Sequence, residues 1–288
     1  MSGYGVSDDM TGEIIDAHQH LWHLSPPDQP WMTPDMEILR RDFLADDLKA
    51  TVSEAGITGT IVVEAQRGMK ETLWLAETAA KEDLIRGVVG WAPLTDPGIV
   101  LHLERLKELP KVKGVRHPIH DEPDDQFVLR DDFNRGISAL KQFGLKYDLL
   151  IFEKHLPQTI RFVDRHPDQI FILDHIAKPR IREQMLAPWK ENIKELARRS
   201  NVYCKLSGMV TEAEWSSWTE DSLLPYFDTV LEAFGPKRLM FGSDWPVLLL
   251  ASSYKRWLQT IRRAIAGLSL SEQEWIWSKT AMEAYELT

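Results

Sequence analysis

Residues 14–22 read IIDAHQHLW, a short apolar run that breaks into two histidines, His18 and His20, where a strand would stop. A buried strand of a parallel sheet is apolar on both faces, so polar residues at its C-terminal end mark where it leaves the core. The pattern recurs. TGTIVVEA (58–65), IRGVVGWA (85–92), VKGVRH (112–117), LKYDLLIF (145–152), QIFILDHI (169–176), NVYCKLSG (201–208) and KRLMFGSD (237–244) complete a set of eight strand candidates with EIIDAH (13–18). Between them lie segments of helical spacing, among them FLADDLKATVSEAG (43–56), KETLWLAETAAKED (70–83), DDFNRGISALKQFG (131–144) and EDSLLPYFDTVLEAFG (220–235), several closing on a glycine as helix C-termini do. Eight uninterrupted alternations predict an α/β fold, a (β/α)₈ TIM barrel over residues 1–288 as one domain. The segments 252–268 and 269–287 read as two extra C-terminal helices closing over the barrel's outside.

Composition narrows the function. The chain of 288 residues has 34 Lys and Arg against 44 Asp and Glu, a formal charge of -10, which argues against nucleic acid as a partner. No apolar stretch reaches the ~20 residues a membrane span needs, and the proline-bearing stretch at 25–34 is too short to link domains. The single cysteine, Cys204, and a polar start, MSGYGVSDDM, without a basic and apolar leader fit the cytoplasm.

In a barrel, all strand C-termini face one mouth, where the active site is built. Strand one brings His18 and His20 there, strand two Glu64 and Gln66, strand four Arg116 and His117. Strand six brings Asp174 and His175, strand seven Lys205 and Ser207, strand eight Ser243 and Asp244. Period two puts His18 and His20 on one side, able to meet His175 and Asp244, and three imidazoles with a carboxylate suit one Zn²⁺ or a similar divalent ion. Asp244 is the candidate general base and Arg116 a fixed cation for a developing oxyanion. Alternation turns Asp174 to the opposite face, where it orients a neighbouring group or caps a turn, and Asp148 reads as a structural carboxylate. His20, Lys205, Glu64, His117 and His155 are candidate substrate contacts. Trp22 and Trp245 are the preferred pair to wall the pocket, with Trp31 and Trp91 as further candidates.

Together IIDAHQHLW, GVRHPIHDEPD, FILDHIAKP, VYCKLSGM and LMFGSDWPV resemble the amidohydrolase superfamily, in the amidohydrolase-related group that includes sugar-acid lactonases, from about the first strand to the eighth. The resemblance implies a (β/α)₈ barrel and hydrolysis at the strands' C-terminal ends. It makes His18 and His20 the first-strand metal pair, His175 the later histidine, Asp244 the eighth-strand base, and Arg116 and Lys205 substrate holders. Members with two metals add a carboxylated lysine or Glu and a further histidine from middle strands. Here strand five offers Asp148 and strand seven no histidine, so one divalent ion or metal-free action is expected. The implied substrate is a small fucono-, rhamnono- or galactono-lactone, and a homo-oligomer is compatible. The rivals are a metal-dependent decarboxylase, a lactonase for a carboxylated aromatic-catabolism lactone using Arg67 or Arg180 as well, and a binding-only sensor.

Overall fold

The protein's structure, a computed structural model, describes residues 12–25 and 29–288. The polar start read as lacking a leader, and residues 26–28 of the proline-bearing stretch, lie outside the described residues.

Eight strands form at the predicted places: β1 (Ile15–Gln19), β2 (Gly59–Val63), β3 (Ile85–Gly90), β4 (Val112–Pro118), β5 (Lys146–Leu150), β6 (Phe171–Leu173), β7 (Val202–Leu206) and β8 (Leu239–Phe241). Each pairs in parallel with the next, in the order β1 to β8. Past the last strand, His20 N donates to Trp245 O at 2.7 Å and Asp244 N to His18 O at 2.7 Å, drawing the end of β8 back to β1. The described residues thus form a nearly closed TIM barrel.

The strands carry β-branched residues on buried backbone, as in Ile61, Val62 and Val63, which suits a sheet covered on both faces. Outside it run α1 (Ala45–Val52), α2 (Met69–Lys81), α3 (Ile99–Lys107), α4 (Asp131–Leu140), α5 (Leu156–Asp164), α6 (Trp189–Leu196), α7 (Glu220–Phe234) and α8 (Tyr254–Ala264). In α4, Phe133, Ile137 and Leu140 fall at helical spacing and are all buried. Gly144, at φ 69°, then turns the chain toward β5 in a conformation that a side chain would strain.

The chain ends differently from expectation. After α8, the helix α9 (Leu270–Glu274) passes through a wider turn at Trp275–Lys279 into α10 (Thr280–Tyr285). α8 and α9 meet the expectation of helices on the outside, and the departure begins with α10. Ala281, Ala284, Tyr285 and Leu287 pack instead with Ile15, Ala17, Ile61, Val63, Val89, Ile172 and Met240, the inward side chains of the strands. The segment is the barrel's floor. Glu286 holds it there, its carboxylate 2.8 Å from Lys146 at the start of β5 and its carbonyl accepting from Lys113 near the start of β4.

One irregularity of β1 bears on function. Its register with β2 slips between Asp16 and Gln19, an extra residue on the β1 side. Ile15 and Ala17 sit in the inner cluster, yet His18 and His20 also reach the site, because the slip restarts the alternation.

Candidate active site

The strands' C-terminal ends surround a cavity of about 880 Å³ whose lining includes His20, His175, Asp244, Glu64, Arg116 and Trp31. At its base four side chains converge. His18 Nε2 lies 3.1 Å from His20 Nε2, while Asp244 Oδ1 lies 3.3 Å from His20 Nε2, 3.8 Å from His18 Nε2 and 3.9 Å from His175 Nε2. A tetrahedral zinc with arms near 2.0–2.1 Å would separate its ligand atoms by about 3.3 Å. The spacing and donor types therefore fit one divalent ion. His18, His20 and Asp244 form one triplet able to hold a metal, and His18, Asp174 and His175 another.

Each member is held from behind. His20 Nδ1 donates to Val63 O at 2.8 Å, which leaves Nε2 as the lone-pair nitrogen. His175 Nδ1 is 2.9 Å from Ser207 Oγ, an anchor from the end of β7. The backbone of His175 and Ile176 is left-handed, at φ 52° and 48°, so the chain coils inward once β6 ends at Leu173. That coil also overturns the placement of Asp174 by alternation. Asp174 is fully buried inside the barrel, 3.2 Å from His18 Nδ1, 3.0 Å from Arg116 and 3.0 Å from Lys205. It does orient a neighbour, His18, but from the inward side.

Charge alternates across the barrel beneath the cavity. Glu64 pairs with Arg116 at 2.8 Å, Arg116 with Asp174, Asp174 with Lys205, and Lys205 with Asp148 at 2.5 Å. Tyr285 ends the row, its hydroxyl 2.7 and 2.9 Å from the two Asp148 oxygens. Burying such charges is tolerable only because each has an opposite neighbour.

Protonation states follow from this geometry. Burial drives the His18 imidazole well below its ordinary pKa and His175 down to about 3, against the pull of nearby carboxylates. Burial would raise Asp244, but His175, His20 and His18 outweigh it and hold the carboxyl well below the usual range. At neutral pH the cluster is a carboxylate among neutral His18 and His175, ready to bind a cation or accept a proton. Asp174 is likewise held low: burial raises it, and Lys205, His18 and Arg116 prevail.

Several expected contacts lie elsewhere. Trp22 is fully buried against Trp31 and Phe43, its Nε1 donating to Arg41 O, and Trp245 is buried against Phe43, so neither walls the cavity. Trp31 does, with Trp215 from beyond β7, a residue the sequence reading passed over. Trp91 instead donates from Nε1 to His117 Nδ1. His117 stacks on Phe127 and meets Glu122 at 2.7 Å, outside the cavity lining. His155 is buried with Nδ1 accepting from Phe152 N and Nε2 near Asp125. Lys205 is sealed below the cavity, 3.2 Å from His18 Nδ1, and has no path to a substrate there. Glu64 lines the cavity but is occupied by Arg116, which also donates to Asp174 and to Glu64 O.

A barrel with imidazoles and a carboxylate gathered at its C-terminal mouth is the architecture of a barrel enzyme. The chain belongs to the amidohydrolase family, whose family model, Amidohydro_2, matches residues 15–287. It is similar to an L-fucono-1,5-lactonase of Burkholderia multivorans, 40% identical over 286 residues that span 95% of this chain and 96% of the relative. An L-fucono-1,5-lactonase of Burkholderia ambifaria is 34% identical over 250 residues, 85% of each chain. A solved amidohydrolase from Burkholderia multivorans with bound zinc superposes at TM-score 0.92 and 39% identity, covering 96% of this chain and 100% of that one.

Proposed function

We propose that the protein opens a small, neutral sugar-acid lactone to its hydroxy acid, with Asp244 as the general base. The carrying observation is Asp244 itself, a buried carboxylate with Oδ1 within 3.3–3.9 Å of three imidazoles at the base of a cavity large enough for a sugar ring. The two lactonase relatives support the reaction class.

The steps use this chain's residues. Asp244 Oδ2, the oxygen away from the imidazole contacts, takes a proton from water, and the water oxygen adds to the lactone carbonyl. Arg116 lines the cavity with its N–H groups engaged by Glu64 and Asp174, and its positive charge stabilises the tetrahedral oxyanion that develops beside His20 and His175. Collapse breaks the ring C–O bond, and Asp244 returns its proton to the leaving alkoxide. The product acid ionises, so each turnover releases one proton. His18, His20, His175 and Asp244 would hold one divalent ion, zinc by the donor set, which when bound supplies Lewis-acid polarisation of the carbonyl.

The cavity's cations favour a neutral substrate over a dicarboxylated aromatic lactone. Among the described residues that line it, Arg67 is paired with Asp121 and Glu122, Arg116 with Glu64 and Asp174, and Lys178 with Glu212 at 2.6 Å. All three are charge-balanced by carboxylates of the protein, which disfavours a substrate that brings two more. No helix among the described residues is long and apolar enough to cross a membrane. Cys204 is buried with a free thiol, which suits the cytoplasm as the working compartment.

The test is proton release near neutral pH over a panel of lactones led by L-fucono-1,5-lactone, with parallel chelator-treated and zinc-supplemented samples. Turnover of neutral lactones supports the reading, and loss on chelation restored by zinc assigns the imidazoles to metal. Silence on that panel with turnover of a dicarboxylated lactone would overturn the substrate class.

A further inference from the structure

The buried row of charges does not stop at the cavity; it runs through the barrel to the floor. Tyr285 belongs to α10, at the far end of the sequence from His18, yet it is fully buried with its ring among Ile15, Ala17, Ile61 and Met240. Apolar packing accounts for the ring. It does not account for the hydroxyl, which meets both oxygens of Asp148 at 2.7 and 2.9 Å.

Asp148 in turn holds Lys205 at 2.5 Å, and Lys205 reaches both Asp174 Oδ1 at 3.0 Å and His18 Nδ1 at 3.2 Å. The ammonium donates to Asp148 and is ion-paired with Asp174, with the His18 ring at its third side. The Lys205 Nζ also lies 5.5 Å from the Tyr285 ring centroid, so phenol and carboxylate bracket the same cation. Where Lys205 sits decides what packs against His18 Nδ1, and so how the ring is held with Nε2 toward His20 and Asp244.

We infer that Tyr285 is a positioning residue of the active site: through Asp148 it fixes the Lys205 ammonium against His18 and Asp174, so the floor helix helps hold an imidazole of the site in its orientation. Without the phenol donor, Asp148 is left with Lys205 as its remaining side-chain partner and draws the ammonium down and away from His18. The inference takes its activity readout from the proposed lactone hydrolysis, and its second readout from the histidine itself.

The experiment compares the full-length wild type with Tyr285→Phe and Asp148→Asn, singly and together. Tyr285→Phe keeps the ring and so the packing of the floor. A support residue of this kind is expected to lower kcat by roughly tenfold with KM unchanged. The two substitutions should be non-additive in kcat, because they break one chain of contacts. In ¹⁵N-resolved spectra of the imidazoles, Tyr285→Phe should move the His18 ring nitrogens and leave His117 and His155 in place. Were no lactone turned over by the wild type, the spectra would still decide the inference. Unmoved His18 signals, or a lowered Tm with kcat intact in Tyr285→Phe, would overturn it and leave Tyr285 as floor packing. Should Tyr285→Phe fail to fold, Asp148→Asn carries the same two readouts with the same expected signs.

Discussion

Gly208 and His175 compete for one space: a Cβ built on Gly208 would stand 2.5 Å from His175 Nδ1. Gly208 follows Ser207, which holds that nitrogen, and its φ of 64° lies where a side chain is strained. Gly208→Ala should therefore displace the imidazole as well as strain the backbone by about 1–2 kcal/mol. A misplacement of this order should lower kcat by roughly 10²-fold. Steady-state kinetics beside thermal melts will show it, and full activity would mean that the loop yields instead.

Asp244→Asn keeps the shape of the side chain and removes the base. Turnover should drop by about 10²–10⁴-fold, with far-UV circular dichroism and melting unchanged in form. Residual turnover near the wild-type rate would exclude Asp244 as the proton acceptor.

Ser207→Ala removes the oxygen 2.9 Å from His175 Nδ1 and nothing that lines the cavity. If His175 serves a bound ion, zinc affinity should weaken by roughly 10- to 100-fold. Competition against a chromogenic chelator measures this directly. An unchanged affinity would leave zinc to His18, His20 and Asp244.

Glu71, in the first turn of α2, accepts from Ala65 N and Gln66 N and stands close in charge to Glu64. Burial, reinforced by Glu64, pushes its carboxyl from 4.5 up to about 9. A folded-state pKa above the unfolded one means stability is fully present below pH 4.5 and is lost as pH rises to about 9. Glu71→Gln should flatten the fall by roughly 1.4 kcal/mol per pH unit within that window. Denaturant titrations at several pH values compare the slopes, and equal slopes would show Glu71 ionised in the native protein.

The barrel was readable because strands buried on both faces have no polar half, so their apolar runs stand out and the polar breaks mark the mouth. That logic alone brought His18, His20, His175 and Asp244 together. It failed where the backbone left the strand pattern. Asp174 lies past Leu173, in a coil that non-glycine residues do not advertise, so alternation assigned it the wrong side. Trp22 and Trp245 follow strand ends as a pocket wall would, but position along the chain says nothing about which way an indole turns. Lys205 reads as a substrate contact at the end of its strand, yet its three neighbours come from β1, β5 and the coil after β6, a meeting set by the barrel's cross-section. Helical spacing in 269–287 fixed a buried face without saying which end of the barrel would receive it.

The position of that last helix has a consequence for biosynthesis. By the time Phe241 leaves the ribosome every strand has been made, but the inner residues still lack a lid from below and Asp148 lacks its phenol. The inner strand residues are covered from below only when residues 281–287 have been synthesised and docked. Tyr285 is among the last residues to be made, so its contact with Asp148 forms only once the rest of the barrel is in place.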